Sequence, residues 1–359
     1  MDFKQVKRVL IYRLGSLGDT VIAVPALHLV ERTFPAARRV LLTNMQAYIN
    51  APAAFAVIDG SGLVHSSIDY PLATRSPRQL AILWWKIARF RPQVVIYLMP
   101  RRSEGSLARD RWFFRLAGAR QVIGLPVGDL SESAYDPATL LWEREAARLL
   151  RCISSLGDGR IDDPASWDLR LTPAEEQKGR DVLTPLSGRP FIACGPGTKM
   201  QAKDWGQENW RALLTNLAAE LPHHGLALVG AKLDAEVSDY VSSEWQGPVV
   251  NLCGLLSPRE TAAVLKHAEL FLGPDSGPMH LAAAYGVPCA IAFASLDRPG
   301  RWFPTGKLHR PIYHRVDCQN CRLTVCIEQK KKCILSIGVD EMFDAALQLI
   351  HQGKSVSHP

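Results

Sequence analysis

The chain has 359 residues, 47% of them apolar, and carries 42 Lys and Arg against 35 Asp and Glu, a formal charge of +7. This length exceeds what one hydrophobic core usually serves, so two domains are expected. No stretch approaches the roughly 18 to 20 apolar residues a membrane-spanning helix needs. The positive charge fits an acidic substrate, an anionic membrane face or a merely basic surface, and no interleaved aromatic-basic motif supports nucleic acid.

Met1-Asp2-Phe3-Lys4-Gln5 leads straight into a strand pattern without a signal-peptide core, so a cytoplasmic location is expected. Arg8–Arg13 is a short apolar run, and a helical pattern follows from Thr20 to about Phe34. Val40–Thr43 reads as the next strand, Val57–Asp59 as a further candidate, Gln79–Phe90 as a tryptophan-bearing helix and Val94–Leu98 as a strand. This βαβ rhythm predicts a parallel sheet with helices on both faces. Ala138–Leu156 reads as one long amphipathic helix, and Gly157–Trp167, rich in Gly, Asp and Pro, as a linker. The rhythm then restarts. Strands are expected at Phe191–Cys194, Leu226–Val229, Leu270–Leu272 and Pro288–Phe293, and helices at Gln207–Leu221, Pro258–His267 and Met279–Tyr285. A last helix runs from about Val339 to His351. The expected architecture is α/β, with two Rossmann-like domains facing a central cleft: 1–165, 166–338, and a helix and tail over 339–359. Ligands of such sheets lie beyond the carboxyl ends of the strands.

Three loops carry chemistry. In Arg13-Leu14-Gly15-Ser16-Leu17-Gly18-Asp19, two glycines between strand and helix let the backbone turn tightly near a ligand. The spacing is neither a dinucleotide fingerprint nor a Walker loop. Asp19 can be a helix N-cap or a general base for a sugar hydroxyl. The second loop, Gly195-Pro196-Gly197-Thr198-Lys199-Met200-Gln201-Ala202-Lys203-Asp204-Trp205, is a phosphate cradle or a solvated lysine loop. In the third, Gly273-Pro274-Asp275-Ser276-Gly277-Pro278-Met279-His280, a strand ends in a turn that opens a helix. The free N–H groups and positive dipole end there suit a pyrophosphate. His280 can donate to a phosphate or be a packed residue, and Asp275 can be a cap.

In register, these loops resemble glycosyltransferase family 9, the bacterial ADP-heptose:lipopolysaccharide heptosyltransferases. The similarity is carried by Val9–Val21 with Pro25-Ala26-Leu27, by Gly195–Thr198 with Lys203-Asp204-Trp205, and by Asp275–Ala284. Leu296-Asp297-Arg298-Pro299, Arg301-Trp302 and Pro304-Thr305-Gly306 also fit. The resemblance implies a GT-B fold whose last helix packs back toward the N-terminal domain. It also implies an acceptor on the first domain, a donor on the second, and inversion at the anomeric carbon. It assigns Asp19 as the base, in an acceptor-side loop that includes Arg13, Gly15, Ser16 and Gly18. Thr198 and Lys203 would touch the donor phosphates, and Ser276, Gly277 and His280 the diphosphate. Asp275 matches the donor-site aspartate, Asp234 a ribose-holding acid, and Leu256 an adenine contact. The implied donor is ADP-heptose. The implied acceptor is an anionic glycolipid, such as lipopolysaccharide inner core, reached from the inner face of the cytoplasmic membrane as a peripheral monomer. Lys203, His280 and a helix N-terminus can stabilise the leaving diphosphate without Mg²⁺. No Asp-x-Asp motif occupies a suitable loop, so no active-site metal and no catalytic cofactor are expected.

Arg101, Arg102, Arg109 and Arg111 are candidates for meeting acidic sugars, or ordinary surface arginines. Cys152, Cys194, Cys253 and Cys289 read as core thiols. Cys318, Cys321, Cys326 and Cys333 cluster within sixteen residues and leave open a structural metal (Zn or Fe), disulfides or free thiols. Another nucleotide sugar, a different acceptor, a nucleotide-sugar epimerase of the same fold and a basic binding module are the rival functions.

Overall fold

The computed structural model describes residues 3–44, 54–71, 76–100, 102–130 and 132–356. The chain forms two compact units, one of Met1–Asp136 with Glu143–Arg170, the other of Pro137–Trp142 with Leu171–Pro359. Among the described residues no helix is long and apolar enough to cross a membrane.

The first unit is built on five parallel strands: β1 (Arg8–Tyr12), β2 (Arg38–Thr43), β3 (Ser66–Asp69), β4 (Val94–Tyr97) and β5 (Gln121–Ile123). Their order is β3-β2-β1-β4-β5. The central strands β1 and β4 read as unbroken apolar runs because both of their faces are covered. Leu10 and Tyr12 alternate with Val9 and Ile11, and all four are buried. Helices α1 (Leu17–Ile22), α2 (Val24–Thr33), α3 (Pro77–Phe90), α4 (Glu104–Leu116) and α5 (Glu145–Cys152) follow the strands, with the two-residue strand β6 at Tyr135–Asp136.

The second unit contains the two-residue strand β7 (Leu141–Trp142) and a six-stranded parallel sheet. The sheet comprises β8 (Phe191–Cys194), β9 (Gly225–Leu228), β10 (Val249–Asn251), β11 (Leu270–Pro274), β12 (Cys289–Ala292) and β13 (His309–Ile312), in the order β10-β9-β8-β11-β12-β13. Its helices are α6 (Pro173–Val182), α7 (Gln207–Glu220), α8 (Ala235–Val241), α9 (Pro258–Leu265), α10 (Gly277–Ala284), α11 (Lys332–Leu335) and α12 (Val339–Val356).

Several expectations are corrected. The helix expected from Thr20 breaks at Ala23, because Pro25, near the start of α2, has no N–H to continue the ladder. Ala54–Val57 is a 3-10 turn, and the strand expected nearby lies at Ser66–Asp69. Only Glu145–Cys152 of the long helix is α-helical, followed by a 3-10 turn at Ser154–Leu156. Ahead of it, Leu140 takes a left-handed φ of 57°, the Trp142 N–H donates to Pro299 O at 2.8 Å, and the Arg298 guanidinium lies 4.1 Å over the Trp142 ring. Those tertiary contacts override the helical spacing. The segment read as a linker is tied into the first unit: Arg32 donates to Asp158 O, and the His28 ring nitrogen lies 2.8 Å from Asp168 O. The last helix buries its stripe of Met342, Ala346, Leu349 and Ile350 in the core of the second unit.

Candidate functional site

Each sheet reverses its strand order once, between β1 and β4 in the first unit and between β8 and β11 in the second. A crevice opens at such a point beyond the carboxyl ends of the strands, because the flanking connections leave in opposite directions. The loop Arg13–Asp19 leaves β1, the loop Gly195–Trp205 leaves β8, and Asp275–Ser276 leave β11. All three predicted loops therefore stand at switch points.

In the first unit, Asp19 closes a capping box on α1. Its Oδ2 accepts from the Ser16 N–H at 2.7 Å and from Ser16 Oγ at 2.9 Å, and its Oδ1 accepts from Arg13 Nη2 at 3.2 Å. The Asp19 side chain remains one-quarter exposed (25%), whereas Arg13 is buried at 3%. Gly15 is required here because a Cβ would lie 2.4 Å from the Asp19 Cβ. Asn44 grips the loop from β2, accepting from Gly15 N and donating to Gly15 O at 2.8 and 3.0 Å. Gly18 is buried in the first turn of α1. Below the loop, Arg13 donates to Leu98 O and lies 3.8 Å from Glu145, whose carboxylate binds Arg148 at 2.7 and 2.9 Å. Ser16, not Asp19, is the N-cap of α1; Asp19 stands in the first turn and bonds back to it, and the same bonds aim a partly exposed carboxylate. Neither Asn44 nor the Glu145–Arg148 pair belonged to a recognisable motif, so sequence reasoning missed them.

In the second unit, the residues expected at the donor site lie beyond the carboxyl ends of the strands, after β8 (Thr198, Lys203), β9 (Asp234), β10 (Leu256) and β11 (Asp275 and Ser276, with Gly277 and His280 in α10). Lys203 Nζ donates to Asp275 Oδ2 at 2.5 Å, and His280 Nε2 lies 3.5 Å from Oδ1 of the same carboxylate. Burial opposes ionisation of Asp275, but the Lys203 ammonium, with His280 beside it, prevails and lowers the carboxyl to about 2. Asp275 thus holds Lys203 and His280 together. Ser276 is the N-cap of α10 yet caps no N–H, and its Oγ is buried without a hydrogen-bond partner. Pro278 fits this helix start, where an N–H would have no intrahelical acceptor. A buried hydroxyl and free helix N–H groups beside a lysine suit an anionic ligand.

Thr198 Oγ1 accepts from Met200 N at 3.3 Å. Asp234 Oδ2 accepts from Ala231 N at 2.7 Å, and a Cβ on Gly197 would fall 2.3 Å from the Asp234 Cγ, so only glycine lets the two loops meet. Leu256 is half-buried just before the N-cap of α9.

The cysteine segment buttresses the Lys203 loop. The Ala202 N–H donates to Thr324 O, Cys326 N to Gln201 Oε1 at 2.8 Å, Lys331 Nζ to Asp204 at 2.9 Å and Trp205 Nε1 to Ile337 O at 3.0 Å. All eight cysteines are free thiols. Cys326 and Cys333 are built into the apolar core with Cys321 packed against it, and burial pushes the Cys333 thiol up. Among the described residues no group of three or more His, Cys, Asp or Glu is arranged to hold a metal. Cys152, Cys194, Cys253 and Cys289 are the buried core thiols expected. Arg102 and Arg109 both bind Asp110 at 3.2 Å, Arg111 is exposed, and Arg101 lies outside the described residues.

Residues 150–332 match the family description "Glycosyltransferase family 9 (heptosyltransferase)". The sequence is 21% identical over 342 residues to lipooligosaccharide heptosyltransferase 2 of Campylobacter jejuni, covering 93% of this chain and 95% of that protein. In fold it is similar to a family 9 glycosyltransferase of Veillonella parvula, with TM-score 0.73, 16% identity and 98% of each chain covered. It is also similar to ADP-heptose lipopolysaccharide heptosyltransferase II of Escherichia coli, with TM-score 0.65, 16% identity and 97% and 99% of the two chains covered.

Proposed function

The chain belongs to glycosyltransferase family 9, and from that premise we propose that it transfers a heptose from ADP-L-glycero-D-manno-heptose to an inner-core lipopolysaccharide or closely related acceptor. In this reading the anomeric carbon is inverted and no metal takes part. The observation that carries it is the constellation in the second unit: Lys203, His280 and the unpartnered Ser276 hydroxyl gathered at the N-terminus of α10.

The chemistry follows from charge. As the acceptor oxygen attacks the anomeric carbon, the bond from that carbon to the phosphate oxygen breaks and ADP leaves with the electron pair. Lys203, His280 and the helix N–H groups stabilise that developing charge. They do so more in the transition state than in the ground state, as rate enhancement demands. Asp19 takes the proton of the acceptor hydroxyl. Arg13 and Ser16 act as positioning residues, holding the carboxylate by the bonds described. Thr198 supports the phosphate loop, Asp234 the ribose and Leu256 the adenine. The acceptor is an anionic glycolipid at the inner face of the cytoplasmic membrane, met by a peripheral, monomeric enzyme.

The test is a thermal-shift comparison of ADP, UDP, GDP and ADP-heptose. A ligand that binds only the native state stabilises it by RT ln(1 + [L]/Kd). Selective stabilisation by ADP and ADP-heptose is the expected result. A preference for UDP or GDP overturns the donor assignment.

A further inference from the structure

Two neighbouring helices of the first unit, α3 and α4, lie against one face of its sheet. Their residues Leu83, Ile87, Leu107 and Phe114 join Leu10, Tyr12, Val95 and Tyr97 in a single core cluster. Successive helical residues turn by about 100°, so side chains half a turn away from those anchors point outward. On α4 these are Trp112 and Leu116, four apart and 65% and 70% exposed. On α3 they are Ile82 and Trp85, 46% and 54% exposed. An exposed tryptophan on each of two adjacent helices is unusual for a surface with no use for them.

The same face is cationic. Arg78, Lys86 and Arg89 on α3 and Arg109, Arg111 and Arg115 on α4 are all exposed. No acidic residue occurs on α3; on α4 Asp110 is turned inward to Tyr97 and Arg102, and the exposed Glu104 lies in the first turn, at the opposite end from Arg115. The Arg89 guanidinium lies 5.4 Å over the Trp85 ring, which pairs cation and aromatic within the patch.

We propose that this α3–α4 face docks the protein on a bilayer that carries anionic headgroups. Tryptophan settles at the boundary between headgroups and acyl chains, while arginine and lysine reach the phosphates. The anionic surface potential adds an attraction that grows with each cation brought near it. A second copy of this chain does not fit the patch, because a two-fold contact would press like charges together. The proposal deepens the reading that the acceptor is lipid-borne: it places the protein where such an acceptor resides.

The experiment is co-sedimentation with phosphatidylcholine vesicles, with and without phosphatidylglycerol. The protein is expected to bind only the anionic vesicles, and binding should fall as added salt shortens the Debye length. Trp85→Ser with Trp112→Ser should reduce retention by about tenfold or more, because interfacial binding scales with buried apolar area. Circular dichroism, the ADP-induced thermal shift and heptose transfer to a lipid-free acceptor should match the parent. Equal retention of the variant, or equal binding to neutral vesicles, overturns the proposal. So does a dimer that the substitutions dissolve while vesicle binding persists. Vesicle binding without any heptose transfer would refute the donor reading alone, and transfer without vesicle binding would refute this proposal alone.

Discussion

Replacing Asp275 by Asn isolates the electrostatics of the donor loop with little change of shape. The carboxylate is 8% exposed and bonded to Lys203 at 2.5 Å, with His280 at 3.5 Å. Its folded-state value of about 2 lies below the ordinary 3.8, so ionisation stabilises the folded state. At roughly 1.4 kcal/mol per unit, that difference corresponds to about 2 kcal/mol. The sign is fixed by the depression. The stabilisation is fully present above the unfolded value near 4 and is lost as pH falls through about 2. Urea unfolding of parent and Asp275→Asn across this range is the assay. The parent should be more stable by about 2 kcal/mol at neutral pH, which corresponds to roughly 4 to 8 °C in Tm for a unit of this size. The gap should close below pH 4. A difference that is absent at neutral pH, or that persists unchanged into acid, refutes the reasoning.

Glu145→Ala leaves the Arg148 guanidinium buried without its carboxylate, so a loss of about 3 to 5 kcal/mol is expected from denaturant unfolding. Glu145→Leu with Arg148→Met, which removes both charges, should recover most of it. Gly197→Ala drives a methyl into the Asp234 carboxylate; it should lower stability by about 1 to 3 kcal/mol and weaken ADP binding measured by calorimetry. Adding Asp234→Ala removes the atoms nearest the new methyl, Cγ and both carboxylate oxygens, and should restore the stability but not the nucleotide affinity, a coupling that a double-mutant cycle reads directly.

The candidate loops were legible because glycine, proline and polar residues interrupt apolar runs at the carboxyl ends of strands, where parallel sheets bind ligands. Gly15, Gly197 and Ser276 stand where that logic puts them. The edge strands were not legible. Ser66–Asp69 and Gln121–Ile123 are short and only partly buried, so they lack the apolar run that marks β1. The overlong helix at Ala138 failed for another reason: helical spacing is local, whereas Arg298 and Pro299, which capture Trp142, are more than 150 residues away. The cysteine cluster left metal, disulfides and free thiols open because spacing in sequence says nothing about burial, and Cys326 and Cys333 face the core. Asn44, which pins Gly15 from a different strand, has no signature in one sequence.

The central claim, that the Asp19 carboxylate takes the proton of the acceptor hydroxyl as heptose leaves ADP, is tested most directly by single-turnover transfer from ADP-heptose with Asp19→Asn. The amide preserves the size of the side chain and can still accept from Ser16. The account predicts a fall in the rate of transfer of roughly 10² to 10⁴ with ADP affinity unchanged, the loss expected when a general base is removed. Transfer at the parental rate by a correctly folded Asp19→Asn protein contradicts it.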